Sequence, residues 1–485
     1  MFVHVLIFLV KNSMSEELQV GQVAVSPTRS VEGASWIGRL LPIVGIGLLA
    51  FLFGMVTAIK QSPPFYAVRD AWLAFCSLSE QQGIMSSQWP KYLWYPAEGQ
   101  PQGLVENNPA ESYGDYTSFV SGDQCSATLV DREGQEIHRW VAPFKNVFPN
   151  SRHVPQWIPE QFILMRRGLV YPNGDLLALY ETIANTPSGC GLAKLDLAGN
   201  VLWAYDDYAH HDVSIGDDGR IYVLVHELRQ LTSKDTELNP LTDLPLVEDC
   251  VAILSPEGKE TKRISLLDAL VASPYYRPML IHVDRYGDIT HNNTVHVVDA
   301  DFAAHYPEMK SGDLMVCLRN LNLVAVVNPE SEKIVWATTG AWEHPHDPDP
   351  LPNGNIMIFN NFLAHGVEHG SGVVEFDPRK WRKEWYYTGN GAHHLRSDTR
   401  SCQQSLDNGN VLITEGDRGR ILEVNRAGQT VWEYVHPVRG GEQGDLIPLV
   451  CGARRFTREE LPFVEQLKLK TRQAPLSGEV AAVGK

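Results

Sequence analysis

His211-Asp212 stands eight residues before Gly219, and His346-Asp347 stands eight residues before Gly354. Two His-Asp pairs at one distance from a glycine turn are what a repeat with chemistry at a fixed place leaves in a sequence. The aligned positions of other copies hold Arg166, beside Arg167, and Ser401, beside Arg400. A further stretch, DITHNNTV (288–295), offers His291, and the apolar run ending in VCLRN offers Arg319. Imidazoles carry protons and attack electrophiles near neutral pH, and guanidinium groups bring fixed charge with several donors. Gathered in one place, His346, His211, His291 and Arg319 could hold an anion, attack it and move a proton. A single histidine at a strand start is as often structural as catalytic. Two at matched positions, joined by a third, favour function. By the alternation of side chains along a strand, His210 and His344 are expected to face away.

The elements that must position these residues repeat along the chain. Six segments share an apolar run, a turn and a second run that is often aromatic: 127–140, 192–205, 251–264, 324–337, 373–386 and 421–434. Turn residues between two period-2 runs mark a β-hairpin. Measured at Asp131, Asp196, Ser255, Asn328, Asp377 and Asn425, the spacings are 65, 59, 73, 49 and 48 residues. The last two fall in the propeller-blade range of roughly 40–50 residues, and the longer ones allow insertions. Glycine turns such as YPNGDLLALY (171–180) and LPNGNIMIF (351–359) precede most hairpins. Inner strand, glycine turn, second strand and hairpin make four strands, the unit of a propeller. The expectation is an all-β, six-bladed β-propeller with an N-terminal transmembrane helix. The first copy lacks an upstream glycine turn, so strands from both ends of the chain are expected to close its blade. Innermost strands line the channel of a propeller, so equivalent positions on different blades meet at its axis. Trp203, Trp336, Trp385 and Trp432 read as core between blades. Asn292-Asn293-Thr294 is formally a glycosylation sequon, but an inner strand is a poor place for one.

Composition bounds the rest. The net charge is −17 with no sustained Lys/Arg run, which excludes nucleic-acid binding as the leading function. Leu41–Ile59 is nineteen residues without charge, bounded by Arg39 and Lys60, long enough to span a bilayer core of about 30 Å. A signal peptide cut after Ala58 is the competing reading, and Met14 competes with Met1 as the start. The expected organisation is an N-terminal tail (1–38), a signal anchor (39–60), a helical stalk and linker (61–119), the propeller (120–453) and a C-terminal tail (454–485). The propeller is expected on the exported, periplasmic or extracellular, side. The seven cysteines show no CxxC pair, so no zinc or iron–sulfur spacing is present.

At these residues the chain resembles the exported, PAPS-independent arylsulfotransferases. The resemblance rests on Asp288–Val295, the strand ending at Leu314–Arg319, HDPDPLPNGNIMIFN (346–360) and the His-His-Asp at 210–212, and it extends over roughly residues 120–455. It implies a six-bladed propeller whose channel holds a histidine nucleophile. Carried over, His346 takes the place of the sulfated histidine, and His211, His291 and Arg319 take the supporting places. The implied reaction moves a sulfuryl group from an aryl sulfate to a phenolic acceptor, with no cofactor and no metal. Other readings stay open: a non-catalytic binding or scaffold propeller at the membrane, and a metal site built from the clustered His and Asp. A quinone-type dehydrogenase propeller lacks its regular tryptophan docking repeat here. The oligomeric state has no signal in the sequence.

Overall fold

The structure, a computed structural model, describes residues 36–60, 62–230, 246–276, 287–362, 370–390 and 393–473. Contacts divide the chain into two compact units, Met1–Glu80 and Gln81–Lys485. In the first, helix α1 (Trp36–Ile59) is followed by helix α2 (Pro63–Met85), which runs on past the boundary. Residues Leu40–Ile59 of α1 are long and apolar enough to cross a membrane, and none of that stretch is buried within the protein. α2 opens with Pro63-Pro64, where a missing N–H costs a helix nothing.

The second unit is a six-bladed propeller of four-stranded antiparallel sheets. Blade 2 shows the plan: Ile163–Val170, Leu176–Thr182, Gly189–Leu195 and Val201–Tyr205, from axis to rim. The inner strands of blades 3 to 6 are Ala209–Ile215, Asn292–Val297, His346–Pro350 and Cys402–Ser405. Each lies against the inner strands of its two neighbours, and the ring closes. The six repeated hairpins are the third and fourth strands of the blades. Blade 1 takes its inner strand, Val450–Phe456, from the far end of the chain, where it pairs with Tyr116–Ser121. Both termini therefore close the ring at this blade, as its missing glycine turn suggested. The propeller's strands run somewhat beyond 120–453 on either side. Gly103–Asn107, expected in the linker, adds a fifth strand to the rim of blade 6, and Trp94–Pro96 pairs with Leu446–Pro448. Added edge strands satisfy rim backbone groups that would otherwise face only water.

Burial follows the position of each strand. Leu176–Thr182 and Gly372–Asp377 are buried along their whole length because both faces meet an adjacent blade. Rim strands such as Val201–Tyr205 are largely open. The tryptophan indoles tie one blade to the next. Trp203 Nε1 donates to Pro256 O at 3.2 Å, Trp385 Nε1 to Arg426 O at 3.0 Å, and Trp432 Nε1 to Arg132 O at 2.9 Å. Each acceptor lies in the hairpin turn of the following blade. Trp432 and Trp336 are buried, whereas Trp203 and Trp385 are half-exposed, so the inter-blade role holds with only part of each ring in the core. All seven cysteines are unpaired, and only Cys76 is exposed. Asn292 and Thr294 are buried, so that sequon is closed to glycosylation.

Candidate active site

The ring of inner strands is irregular at one level. Pairing with the second strand shifts between Met165 and Arg167, Ala209 and Val213, Asn292 and Val295, His346 and Asp349, and Val450 and Gly452. A bulge re-aims neighbouring side chains and breaks strict alternation. Left-handed backbone recurs at the same level: His211 (φ 52°), His291 (43°), Ser401 (72°) and, one residue later in blade 5, Asp347 (54°). Non-glycine residues hold such values at a cost of order 1–3 kcal/mol each, and the surrounding structure must fix them.

The bulges split each His-Asp pair between two layers. The aspartates point down into a polar floor. Arg167 Nε lies 3.0 Å from Asp212 Oδ1, and its Nη2 donates to Asp347 Oδ1 at 2.8 Å. Val295 N donates to Asp212 Oδ2 at 3.1 Å, Gln403 N to Asp347 Oδ2 at 3.1 Å, and Asp347 N to Thr294 Oγ1 at 3.0 Å. Blades 2 to 6 thus meet at the axis beneath the histidines. Burial pushes Asp212 up to about 6 despite the arginine.

Above the floor stand the imidazoles. His346 is buried, with Nδ1 2.6 Å from Asn361 Oδ1 and 3.2 Å from His344 O. Asn361 spends its amide protons on Ser397 O (2.8 Å) and Arg400 O (3.0 Å), which turns its oxygen toward His346. Both neighbours of Nδ1 are acceptors, so Nδ1 carries the proton and Nε2 keeps its lone pair. Burial, with the Arg319 and Arg166 charges, holds the His346 pKa well below its ordinary value. His346 is a neutral imidazole with one free nitrogen.

His211 and His291 stand edge to face, their ring centres 5.1 Å apart. His211 is held by Glu181, whose Oε1 accepts the His211 backbone N–H and lies 3.2 Å from Nδ1. Burial, then the neighbouring His210, keeps it neutral. Burial works against charge on His291 too, but the Asp288 carboxylate 2.6 Å from Nδ1 outweighs it and raises the pKa. Arg319 follows the second strand of blade 4, and its backbone N–H donates to His291 O at 3.2 Å. Its guanidinium contacts Asn320 Oδ1 (3.1 Å) and His344 Nδ1 (3.4 Å). Among the described residues no carboxylate pairs with it. A half-buried arginine without a counter-ion, beside a histidine with a raised pKa and two neutral ones, is an anion-receiving arrangement.

All four residues singled out from the sequence therefore fall in one cluster at the channel. His344 joins them instead of facing away, because its backbone is left-handed (φ 50°) and lies outside the strand, where alternation does not apply. His210 does turn inward, stacked on His226 with ring centres 3.5 Å apart. Sequence reasoning passed over Glu181, Asn361 and Asp249. The last had a signal, an acidic residue inside the apolar strand LVEDCVAIL (246–254). Asp288 stood in a quoted motif three residues before His291, the spacing that lets one turn bring carboxylate to imidazole.

Two groups bring potential metal ligands together, His210/His226/Asp249 and Glu181/His210/His211. In the first the imidazoles are parallel at 3.5 Å, so their lone pairs run side by side. Two imidazoles on one tetrahedral ion, with bonds of about 2.0–2.1 Å, hold their ring centres about 5 Å apart. In the second the two Nδ1 atoms are 2.8 Å apart, a hydrogen-bond distance, and Glu181 is already engaged by a backbone N–H. Neither set fits an ion as it stands.

A family model described as arylsulfotransferase (ASST) matches residues 173–437, more than half of the chain. The chain belongs to the arylsulfotransferase family. The match runs from the glycine turn of blade 2 to the end of blade 6, and so includes His211, His291, Arg319 and His346. No curated protein matches this family member. Among solved structures, a Bacteroides caccae protein of unknown function aligns at TM-score 0.42 and 12% identity, covering 70% of this chain and 99% of that one. A streptogramin B lyase aligns at 0.35 and 12%, covering 76% and 97%. BamB from Moraxella catarrhalis aligns at 0.29 and 10%, covering 72% and 85%.

Proposed function

We propose that the protein is a sulfotransferase that moves a sulfuryl group from an aryl sulfate to a phenolic acceptor through a sulfohistidine at His346. The observation that carries this reading is the setting of His346: buried, with Nδ1 2.6 Å from Asn361 Oδ1, in a cluster with Arg319, with which no carboxylate pairs among the described residues. In the first half-reaction His346 Nε2 attacks sulfur, the N–S bond forms, the S–O(aryl) bond breaks, and the phenolate leaves with the electron pair. Arg319 and protonated His291 hold the sulfuryl oxygens as charge redistributes. In the second half-reaction the acceptor oxygen attacks the same sulfur, and neutral His346 leaves. His211 is the acid–base group, donating to the departing phenolate and accepting from the incoming phenol. The transfer is split into two easier displacements. Helix α1 would hold the propeller at a membrane with the channel on the exported side.

His346→Ala is the test. Transfer from p-nitrophenyl sulfate to a second phenol should fall by at least about 10³-fold while the circular dichroism spectrum is kept. Wild-type turnover by that variant would remove His346 as the nucleophile.

A further inference from the structure

His210 is fully buried and has no part in the two displacements, yet it touches His211. Its Nδ1 stands 2.8 Å from His211 Nδ1. On its other side Nε2 stands 3.4 Å from Asp249 Oδ1, with neither atom in a formed hydrogen bond among the described residues, and the Val225 carbonyl also lies against the ring. The second Asp249 oxygen is occupied, accepting from Asn292 N at 2.7 Å and from the Thr290 hydroxyl at 2.5 Å.

The tautomers follow from the acceptors. Glu181 Oε1 accepts the His211 backbone N–H, so His211 Nδ1, 3.2 Å from that oxygen, faces an acceptor and is the protonated nitrogen. His210 Nδ1 then accepts, which puts the His210 proton on Nε2, facing Asp249. His211 presents the lone pair of Nε2 to the channel. His226 faces the same Asp249 oxygen at 3.5 Å, but its Nδ1 meets no hydrogen-bond partner among the described residues, so that branch ends there.

We propose that His211, His210 and Asp249 form a proton relay from the channel to a buried carboxylate. The proposal rests on the sulfuryl-transfer reading above and adds where the proton is kept between the two half-reactions. A loaded relay has the proton on Asp249, with His210 protonated at Nδ1 and His211 at Nε2. When phenolate leaves, His211 Nε2–H protonates it, His210 Nδ1–H passes to His211 Nδ1, and the Asp249 proton passes to His210 Nε2. Asp249 is left ionised and both imidazoles neutral. The acceptor phenol runs the same transfers in reverse, its proton entering at His211 and ending on Asp249, so one turnover consumes none.

The surroundings of Asp249 suit a store. Burial and the neighbouring Asp288 push its pKa up to about 7, while the Thr290 and Asn292 hydrogen bonds and the His291 charge act the other way. His226 faces it from the second strand of the same blade and is itself held neutral by burial, at about 4.

The test compares two donors in a single turnover by Asp249→Asn. A nitrophenolate leaves without help, whereas an unsubstituted phenolate needs a proton. With no acceptor phenol present, release of p-nitrophenolate from p-nitrophenyl sulfate should stay within about threefold of wild type, and release of phenol from phenyl sulfate should fall about 10²-fold. An equal loss with both donors overturns the relay, because a disturbed His346 or Arg319 would slow both alike. Histidine-selective ¹⁵N spectra of the wild-type protein give a readout that needs neither the variant nor turnover. Between about pH 6 and 8 the His210 and His211 tautomers should switch together with one midpoint. Tautomers that stay fixed, or switch apart, overturn it. A wild-type enzyme that releases no nitrophenol instead overturns the sulfuryl-transfer reading, and with it the relay's task.

Discussion

His346 and His291 face the same channel with opposite protonation preferences. Asn361, a neutral acceptor, takes the Nδ1 proton of His346 without favouring a second one, and burial does the rest. Asp288, an anion, holds a proton on His291 against burial. In the transfer proposed above, one imidazole would supply the lone pair for attack and the other the charge for binding. The sign of the pH effect follows. His291 has a raised pKa in the folded protein, so its pairing supports the fold fully below the unfolded value near 6.5 and is lost as pH rises through the folded value. Affinity for an anionic donor should weaken over the same rise. In Asp288→Asn, kcat/KM for an aryl sulfate should begin to fall at lower pH than in wild type, read from the pH–rate profile. An unchanged alkaline limb would assign that limb to another group. His211 and His346 were legible in the sequence because the repeat aligns them, His291 through the DITHNNTV stretch, and Arg319 because it ends an apolar strand. Asn361 and Glu181 were not, since only the packing of one blade on the next brings them to their histidines.

At the scale of the strand, the glycine turns set the register that brings each His-Asp pair to the axis. Gly354 turns the inner strand of blade 5 with φ 80°, and a Cβ there would lie 2.6 Å from His305 Cγ and 2.7 Å from Arg379 Nη1. Gly312 has φ 90°, but a Cβ there would meet nothing within 4 Å. Gly312→Ala should therefore cost about 1 kcal/mol, from backbone strain alone, and Gly354→Ala about 2–3 kcal/mol, since its neighbours must also shift. Urea midpoints of the two variants measure the difference, and equal midpoints would refute the steric part. The turns were readable because Asn-Gly and Asp-Gly have few other uses. The bulges and left-handed residues were not, because histidine and aspartate tolerate that backbone without requiring it, and only their surroundings select it at His211, His291 and Asp347.

For the whole molecule, closure of the ring decides whether a site exists at all. The inner strand of blade 1 comes from Val450–Phe456, and Cys451 O in it accepts from Arg166 Nη1 at 3.1 Å. A chain ending at Leu449 would leave Tyr116–Ser121, buried throughout, with a bare edge. That truncation should abolish the cooperative thermal transition of the 81–485 unit, whereas loss of the residues after 473 should leave it in place. Differential scanning calorimetry of the two chains distinguishes them.

The repeat, and with it the propeller, the apolar helix and the residues at one place in the repeat, could be read along the chain. These are local facts, carried by period, turn chemistry and length. Only the tertiary structure decided which partner each of those residues meets. It put Asn361 on His346, Glu181 on His211 and, among the described residues, no carboxylate on Arg319. Most of these contacts join residues on different strands or blades, as far apart as Arg167 and Asp347, and such pairings leave no spacing along the chain to read.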